Sequence, residues 1–360
     1  KSLGEHNQES ANRAAGNGVF LVLIAMVLFI LFGTFGTRPF YRSQSNVTET
    51  VESSISYSSI CCIFTLGIFV EVLGERLLQS SGRTSYTLIT QGTGAVINIL
   101  LDPVLIFGVP ALGIPRMGIA GAAIATVFGQ WVAGALAIFF NFKKNPDVQF
   151  AWHYIRPHKE TLGQILAVGI PSVIMMAISS VMNFGMNQIL QGFSETATGV
   201  FGIYYKLQSF FFMPVFGINN ATISIVAYNY GARKPHRITD TLKYACSIAM
   251  AIMVTGLLVF QFAPDMLLGM FNASGEFLRI GERALRIISW QFPIAAIGIA
   301  LGASFQALGN GTYSAITSLC RQLFALLPVA YLLSLTGEVV NVWWAFPIAE
   351  VISLIVTLIL

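Results

Sequence analysis

The sequence predicts an all-α integral membrane protein: a polytopic helical bundle of two six-helix lobes related by a parallel pseudo-two-fold repeat, with about ten of the helices present in this chain. Three observations carry that expectation. Of 360 residues, 55% are hydrophobic and only 10% charged, with a mean hydropathy of +0.72, whereas a soluble domain is roughly 25% charged. Long, nearly uncharged runs recur from end to end, each close to the ~20 residues that cross about 30 Å of hydrocarbon. The sequence also resembles itself at a shift of 227 residues.

Ten spans follow from the runs: 17–36, 57–80, 85–107, 118–140, 163–190, 198–228, 242–262, 284–307, 313–335 and 339–360. The runs are continuous rather than alternating, which indicates helices and not barrel strands. The segment from Lys1 is polar where a leader would carry a charged and then an apolar stretch. The chain opens without Met and stops inside VISLIVTLIL, so both ends are read as cut.

The 227-residue shift lays Ile60 on Ile287, Gln79 on Gln306, Gly82 on Gly309, Tyr86 on Tyr313 and Ile89 on Ile316. The first four spans then fall on the last four, and the two over 163–228 lack partners, so two helices are expected upstream. Two six-helix halves run in the same direction, because six is even. The division expected is a first lobe over 1–141, a cytoplasmic linker over 142–162 and a second lobe over 163–360.

Orientation follows from lysine and arginine. One set of alternate connections carries twelve: Lys1, Arg13, Arg76, Arg83, Lys143, Lys144, Arg156, Lys159, Arg233, Lys234, Arg237 and Lys243. The other holds five, Arg38, Arg42, Arg116, Arg279 and Arg283, so the first set is cytoplasmic. Topology thus accounts for the net charge of +4, and nucleic acid is not expected as a partner.

Few residues break the apolar rule, and those mark ion or substrate paths. Asp102 in NILLDP has Asn98 one turn earlier on the same face; a 1.5 Å rise puts them about 9 and 15 Å below the helix end at Gly108. The pair reads as an oxygen-rich cation or proton site, against an Asp in a hydrated helix end. Glu71 shares a face with Glu75, and lining a cavity competes with pairing to another helix. Glu350 lies near the last residue. Lys206 is too deep to snorkel, leaving a structural ion pair or a cavity charge; Arg321, beside Gln322, is expected to tether helix ends. Pro171, Pro214, Pro293 and Pro328 are expected to break helices at depth. Met175, Met176, Met182, Met186 and Met213 with Phe210, Phe211 and Phe212 offer a soft surface for aromatic ligands, against lipid contact or core.

Catalysis is not expected. All four histidines, His6, His153, His158 and His236, lie in polar connections, and no HExxH, GxSxG or P-loop occurs. Cys61, Cys62, Cys246 and Cys320 sit in apolar runs without CxxC spacing, as packing residues.

Seven motifs resemble, in order, the multidrug and toxic compound extrusion (MATE) family: NILLDPVLIFG, GIAGAAIATVFGQ, GIPSVI, FMPVFGINNA, YNYGA, FQALGNG and SLCRQLFALLP. The resemblance implies a twelve-helix, V-shaped, multi-pass protein of the cell membrane, working as a monomer in the lipid bilayer and needing no cofactor. It would export small-molecule organic cations and drugs in exchange for Na⁺ or H⁺; a lipid-linked precursor or polysaccharide flippase is the alternative. The family's ion site carries over to Asn98, Asp102 and Thr126, with Na⁺ as the possible metal, while its first-helix Asp would lie before Lys1. Glu71, Lys206, Met175, Met182, Phe211 and Met213 are expected at the substrate cavity. The seventh and tenth helices lack the acids of some sodium-coupled members, so no carboxylate site is expected in the second lobe.

Overall fold

The computed structural model describes residues 1–44, 48–110, 113–149, 151–271, 273 and 275–360. They are helical almost throughout; among them the one β-type pairing is an isolated bridge between Val109 and Ile114. Eight helices are long and apolar enough to span a membrane, or ten when each of two bent pairs counts as one. The chain divides into two compact units, Ser2–Leu162 and Gly163–Leu360, the second also taking in Lys1.

In the first unit, α1 (Gln8–Leu31) starts where the Asn7 side chain accepts the Ser10 N–H at 3.0 Å, a standard N-cap. It continues through a π turn, Phe32–Gly36, into α2 (Thr37–Gln44). Next come α3 (Thr48–Ile63) and α4 (Leu66–Ser80), bent by 52°. The Trp131 indole N–H donates to the Phe64 carbonyl at that bend, 3.1 Å away, satisfying a group freed by the break. α5 (Thr84–Phe107) packs along α6 (Gly118–Lys144). Where they cross, a Cβ on Gly129 would lie 2.7 Å from the Gly94 carbonyl oxygen, so only glycine allows this backbone approach.

After α6 the chain returns to α1. Asn12 Oδ1 accepts the Gln149 N–H at 2.8 Å, Asn17 Oδ1 accepts the His158 N–H at 2.9 Å, and the Gln8 amide donates to the Asp147 carbonyl at 2.5 Å. Arg83 binds Asp147 as well. A short 3₁₀ turn, Trp152–Ile155, leaves Trp152 89% exposed, suited to a membrane interface. Residues 145–149 and 151–158 are therefore a strap on the first unit, bounded by α6 and by α7 (Lys159–Gln191).

The second unit continues with α8 (Glu195–Gly231), α9 (Pro235–Phe262), α10 (Pro264–Gly269) and α11 (Gly275–Ile288). Then follow α12 (Gln291–Ala307), α13 (Gly311–Leu319), a π stretch Cys320–Leu326, α14 (Leu327–Ser334), α15 (Val339–Trp343) and α16 (Ala345–Ile359). Its core centres on Phe201, Tyr204, Phe260, Phe292, Trp343 and Phe346. The Gln291 amide reaches the buried Tyr204 hydroxyl at 2.6 Å, so the phenol is buried with a partner. Outward faces of both units are apolar: Leu88 is 76% exposed, Met176 79% and Ile359 78%, as hydrocarbon-facing residues must be.

The repeat reappears in the helix starts. The shift of 227 carries Gln8 onto Pro235, Thr48 onto Gly275, Thr84 onto Gly311 and Gly118 onto Ala345, all first residues of helices. Both bent pairs, at 52° and 46°, correspond under the same shift. Two of the four prolines act otherwise than expected: α7 and α8 run unbroken through Pro171 and Pro214, whereas Pro293 stands in the first turn of α12 just after a bend and Pro328 at the start of α14. The bends sit at Phe64–Thr65 and Ser289–Trp290. A proline removes one intrahelical bond and tilts the axis, and neighbouring turns absorb that without ending the helix.

Candidate functional site

Asn98 and Asp102 on α5 meet Thr126 on α6. The Asn98 side-chain N–H group donates to Asp102 Oδ1 and to Thr126 Oγ1, each at 3.3 Å, and the Thr126 hydroxyl donates to the Ala122 carbonyl at 2.9 Å. All three side chains are half-buried. Asn98 is thus a donor in this arrangement, leaving its amide oxygen, Asp102 Oδ2 and a Thr126 lone pair as acceptors. Such a hard-oxygen set suits Na⁺ or a proton better than a soft metal. Among the described residues no group of three or more His, Cys, Asp or Glu is placed to hold a metal ion.

The α4 acids are both buried, Glu71 at 8% and Glu75 at 3% exposure. Glu75 accepts from Thr90 Oγ1 at 2.7 Å and Gln91 Nε2 at 2.8 Å. Glu71 makes no ion pair or side-chain hydrogen bond among the described residues, so the pairing envisaged for it is absent there. Lys206 is exposed on α8 and likewise has no ion pair among the described residues.

The methionines and phenylalanines do not form one surface. Met182 and Met186 are in the core, Phe211 packs edge-on against Phe260 at 5.9 Å, and Met213 is 71% exposed. Met175 alone of the set lines a polar cleft of the second unit. That cleft holds about 110 Å³ of water-accessible space among Asn219, Gln306, Ser314, Arg321, Glu350 and Ser353. Glu350 on α16 is buried, and its Oε1 lies 3.4 Å from Arg321 Nη1 on the π stretch. Arg321 therefore ties the π stretch to α16. The seventh and tenth helices carry no acid, as the sequence reads; the buried acid of this cleft, Glu350, comes from α16. The repeat held the signal: Arg321 and Glu350 stand where the first unit has Gly94 and Ala123.

Comparison with known proteins agrees with this architecture. The MatE family model matches residues 1–104 and 171–332. Multidrug export protein MepA of Staphylococcus saprophyticus is 23% identical over 350 residues, covering 97% of this chain and 76% of that protein. Probable multidrug resistance protein YoeA of Bacillus subtilis is 23% identical over 363 residues, covering 99% and 77%. Among solved structures, a crystal structure of MATE in complex with MaL6 has a TM-score of 0.90 at 25% identity, covering 99% of this chain and 80% of that one. An outward-facing MATE family transporter of the MOP superfamily gives 0.89 at 24% identity, covering 99% and 79%. The chain is a multi-pass protein of the cell membrane, a transporter and not an enzyme, and it belongs to the MatE family.

Proposed function

We propose that this chain exports small organic cations and drugs across the cell membrane in exchange for Na⁺ or H⁺, with Asp102 as the coupling carboxylate. The observation that carries the reading is the Asn98 amide shared between Asp102 on α5 and Thr126 on α6. Support for the exported class comes from the relatives, one named a multidrug export protein and one a probable multidrug resistance protein.

A carboxylate at this depth is costly unless paired, so it favours uptake of a proton or Na⁺. With Asp102 ionised, Asn98 donates to it. A cation arriving at the free oxygens of Asp102, Asn98 and Thr126 neutralises the charge and changes which hydrogen bonds join α5 to α6. Coupling requires only that ion and substrate favour different conformations, each binding at the other's expense. The transporter works as a monomer.

Efflux of a fluorescent organic cation from proteoliposomes, driven by an imposed proton or sodium gradient, tests the reading. Asp102→Asn keeps the shape and removes the titration. It is expected to abolish most gradient-driven efflux while leaving substrate binding in detergent close to wild type. Wild-type efflux by Asp102→Asn would remove Asp102 from the mechanism, and no gradient-driven efflux by the unaltered protein would overturn the exporter reading.

A further inference from the structure

The polar cleft of the second unit has a surplus of hydrogen-bond acceptors. Its hydroxyls have largely given their protons away: Ser314 Oγ to Met175 Sδ, Thr317 Oγ1 to the Ser314 carbonyl, Ser353 Oγ to the Thr317 carbonyl and Thr357 Oγ1 to the Ser353 carbonyl. Ser314 Oγ accepts from Gln306 Nε2 at 3.1 Å, and what the others keep is lone pairs. Asn219 Oδ1 is buried with no partner, and an unsatisfied buried acceptor costs about 1–3 kcal/mol. Glu350 meets one guanidinium nitrogen, at 3.4 Å. Space lies in front of it, because Gly298 has no side chain and a Cβ there would stand 3.7 Å from Glu350 Oε1.

The cation now on Glu350 belongs to the protein. Arg321 reaches in from the π stretch Cys320–Leu326, and its side chain keeps 28% exposure where Glu350 keeps 6%. π turns recur at functional sites because they displace side chains from the helical face. A fully buried pair would be locked by desolvation on both sides, but this arginine side chain is partly exposed and its contact is long.

We propose that this cleft is an ammonium subsite that Arg321 fills when no ligand is present. A protonated primary or secondary amine takes the guanidinium's place on Glu350, and its remaining N–H groups supply the donor that Asn219 Oδ1 lacks. Arg321 then turns outward. The cleft admits an ammonium head and a few carbons, so it holds one end of a larger cation. This rests on the reading that organic cations are the exported class, and it names a carboxylate for them distinct from the coupling carboxylate Asp102.

The test is calorimetric binding of benzylamine to the purified protein in detergent, with no gradient. Benzyltrimethylammonium, which has no N–H, and sodium chloride alone are the comparison probes. Glu350→Gln is expected to abolish benzylamine binding. If Arg321 holds Glu350 in about nine molecules of ten, Arg321→Gln tightens binding about tenfold by removing the competitor. Gly298→Leu keeps both charged residues and fills the space in front of Glu350, so it is expected to abolish binding and serves if the charge variants fail to fold. Unchanged benzylamine affinity in Glu350→Gln or Gly298→Leu overturns the subsite, as does equal binding of benzyltrimethylammonium. Displacement of benzylamine by millimolar sodium would make the occupant an inorganic cation and overturn it too. Because no gradient is used, failure here with efflux intact refutes the subsite alone.

Discussion

Glu71 and Glu75 stand one turn apart on α4 and differ in what they touch. Glu75 accepts two side-chain donors, Thr90 and Gln91, and Glu71 accepts none among the described residues. Burial of an unpaired carboxylate is a cost, whereas burial of a hydrogen-bonded one is largely offset. Glu75→Gln turns one acceptor into a donor facing a donor and is expected to cost about 1–3 kcal/mol. Glu71→Gln removes an uncompensated charge and is expected to leave stability unchanged or raise it. Thermal unfolding of both variants in the same detergent checks the pair: a larger fall in Tm for Glu71→Gln would mean that Glu71 has a partner. The contrast was only half legible in sequence. The i, i+4 spacing put both acids on one face, but the donors for Glu75 come from α5, 15 and 16 residues further along the chain.

At the scale of elements, the ion-site geometry depends on how closely α5 and α6 approach. Gly94 and Gly129 set that distance: a Cβ on Gly94 would meet Ala133 Cβ and the Gly129 carbonyl oxygen, both at 3.1 Å, and one on Gly129 would meet backbone first. A Cβ on Gly129 meets the Gly94 carbonyl oxygen at 2.7 Å and Asn98 Cβ at 3.6 Å, so a larger residue must push the helices apart at the turn that carries Asn98. Gly129→Leu is expected to cost about 1–3 kcal/mol by overpacking and to impair gradient-driven efflux by separating Thr126 from Asn98. Gly92→Ala, also on α5 but with nothing within 4 Å of the added carbon, is the control; it should stabilise by about 0.4–1 kcal/mol. Equal effects of the two on Tm and efflux would show that the close approach does not matter. Apolar runs made the spans readable, since lipid permits little else at that depth. The bends were half readable. The one at Ser289–Trp290 lies just before Pro293, which has no N–H for the Ser289 carbonyl four residues back. The one at Phe64–Thr65 has no proline and is supported by an indole from α6; a break sustained by a tertiary partner leaves no local mark in sequence.

For the whole molecule, the charge asymmetry between connections gives a topology that the fold makes testable. Positive charge is retained on the cytoplasmic side because Lys and Arg resist translocation. Exposed Lys144 and Arg233 fall on one predicted side, and exposed Arg42 and Arg279 on the other. After the four native cysteines are replaced by alanine, single cysteines at 144 or 233 are expected to react with a membrane-impermeant maleimide only in inside-out vesicles. Those at 42 or 279 are expected to react only in intact cells, and the reverse pattern would invert the orientation. The same side carries the connection between the units, read from the sequence as a cytoplasmic linker over 142–162. Its hydrogen bonds to Gln8, Asn12 and Asn17 strap it to α1. Asn17 is the anchor, fully buried, accepting the His158 N–H and donating to the Arg13 carbonyl at 2.9 Å. Asn17→Ala leaves the His158 N–H unpaired and is expected to cost about 1–3 kcal/mol, freeing residues 145–158 from α1. Faster hydrogen–deuterium exchange confined to 145–158 in this variant would be the sign of a released strap. Exchange there already as fast in the wild type would show that these hydrogen bonds do not hold the segment on α1.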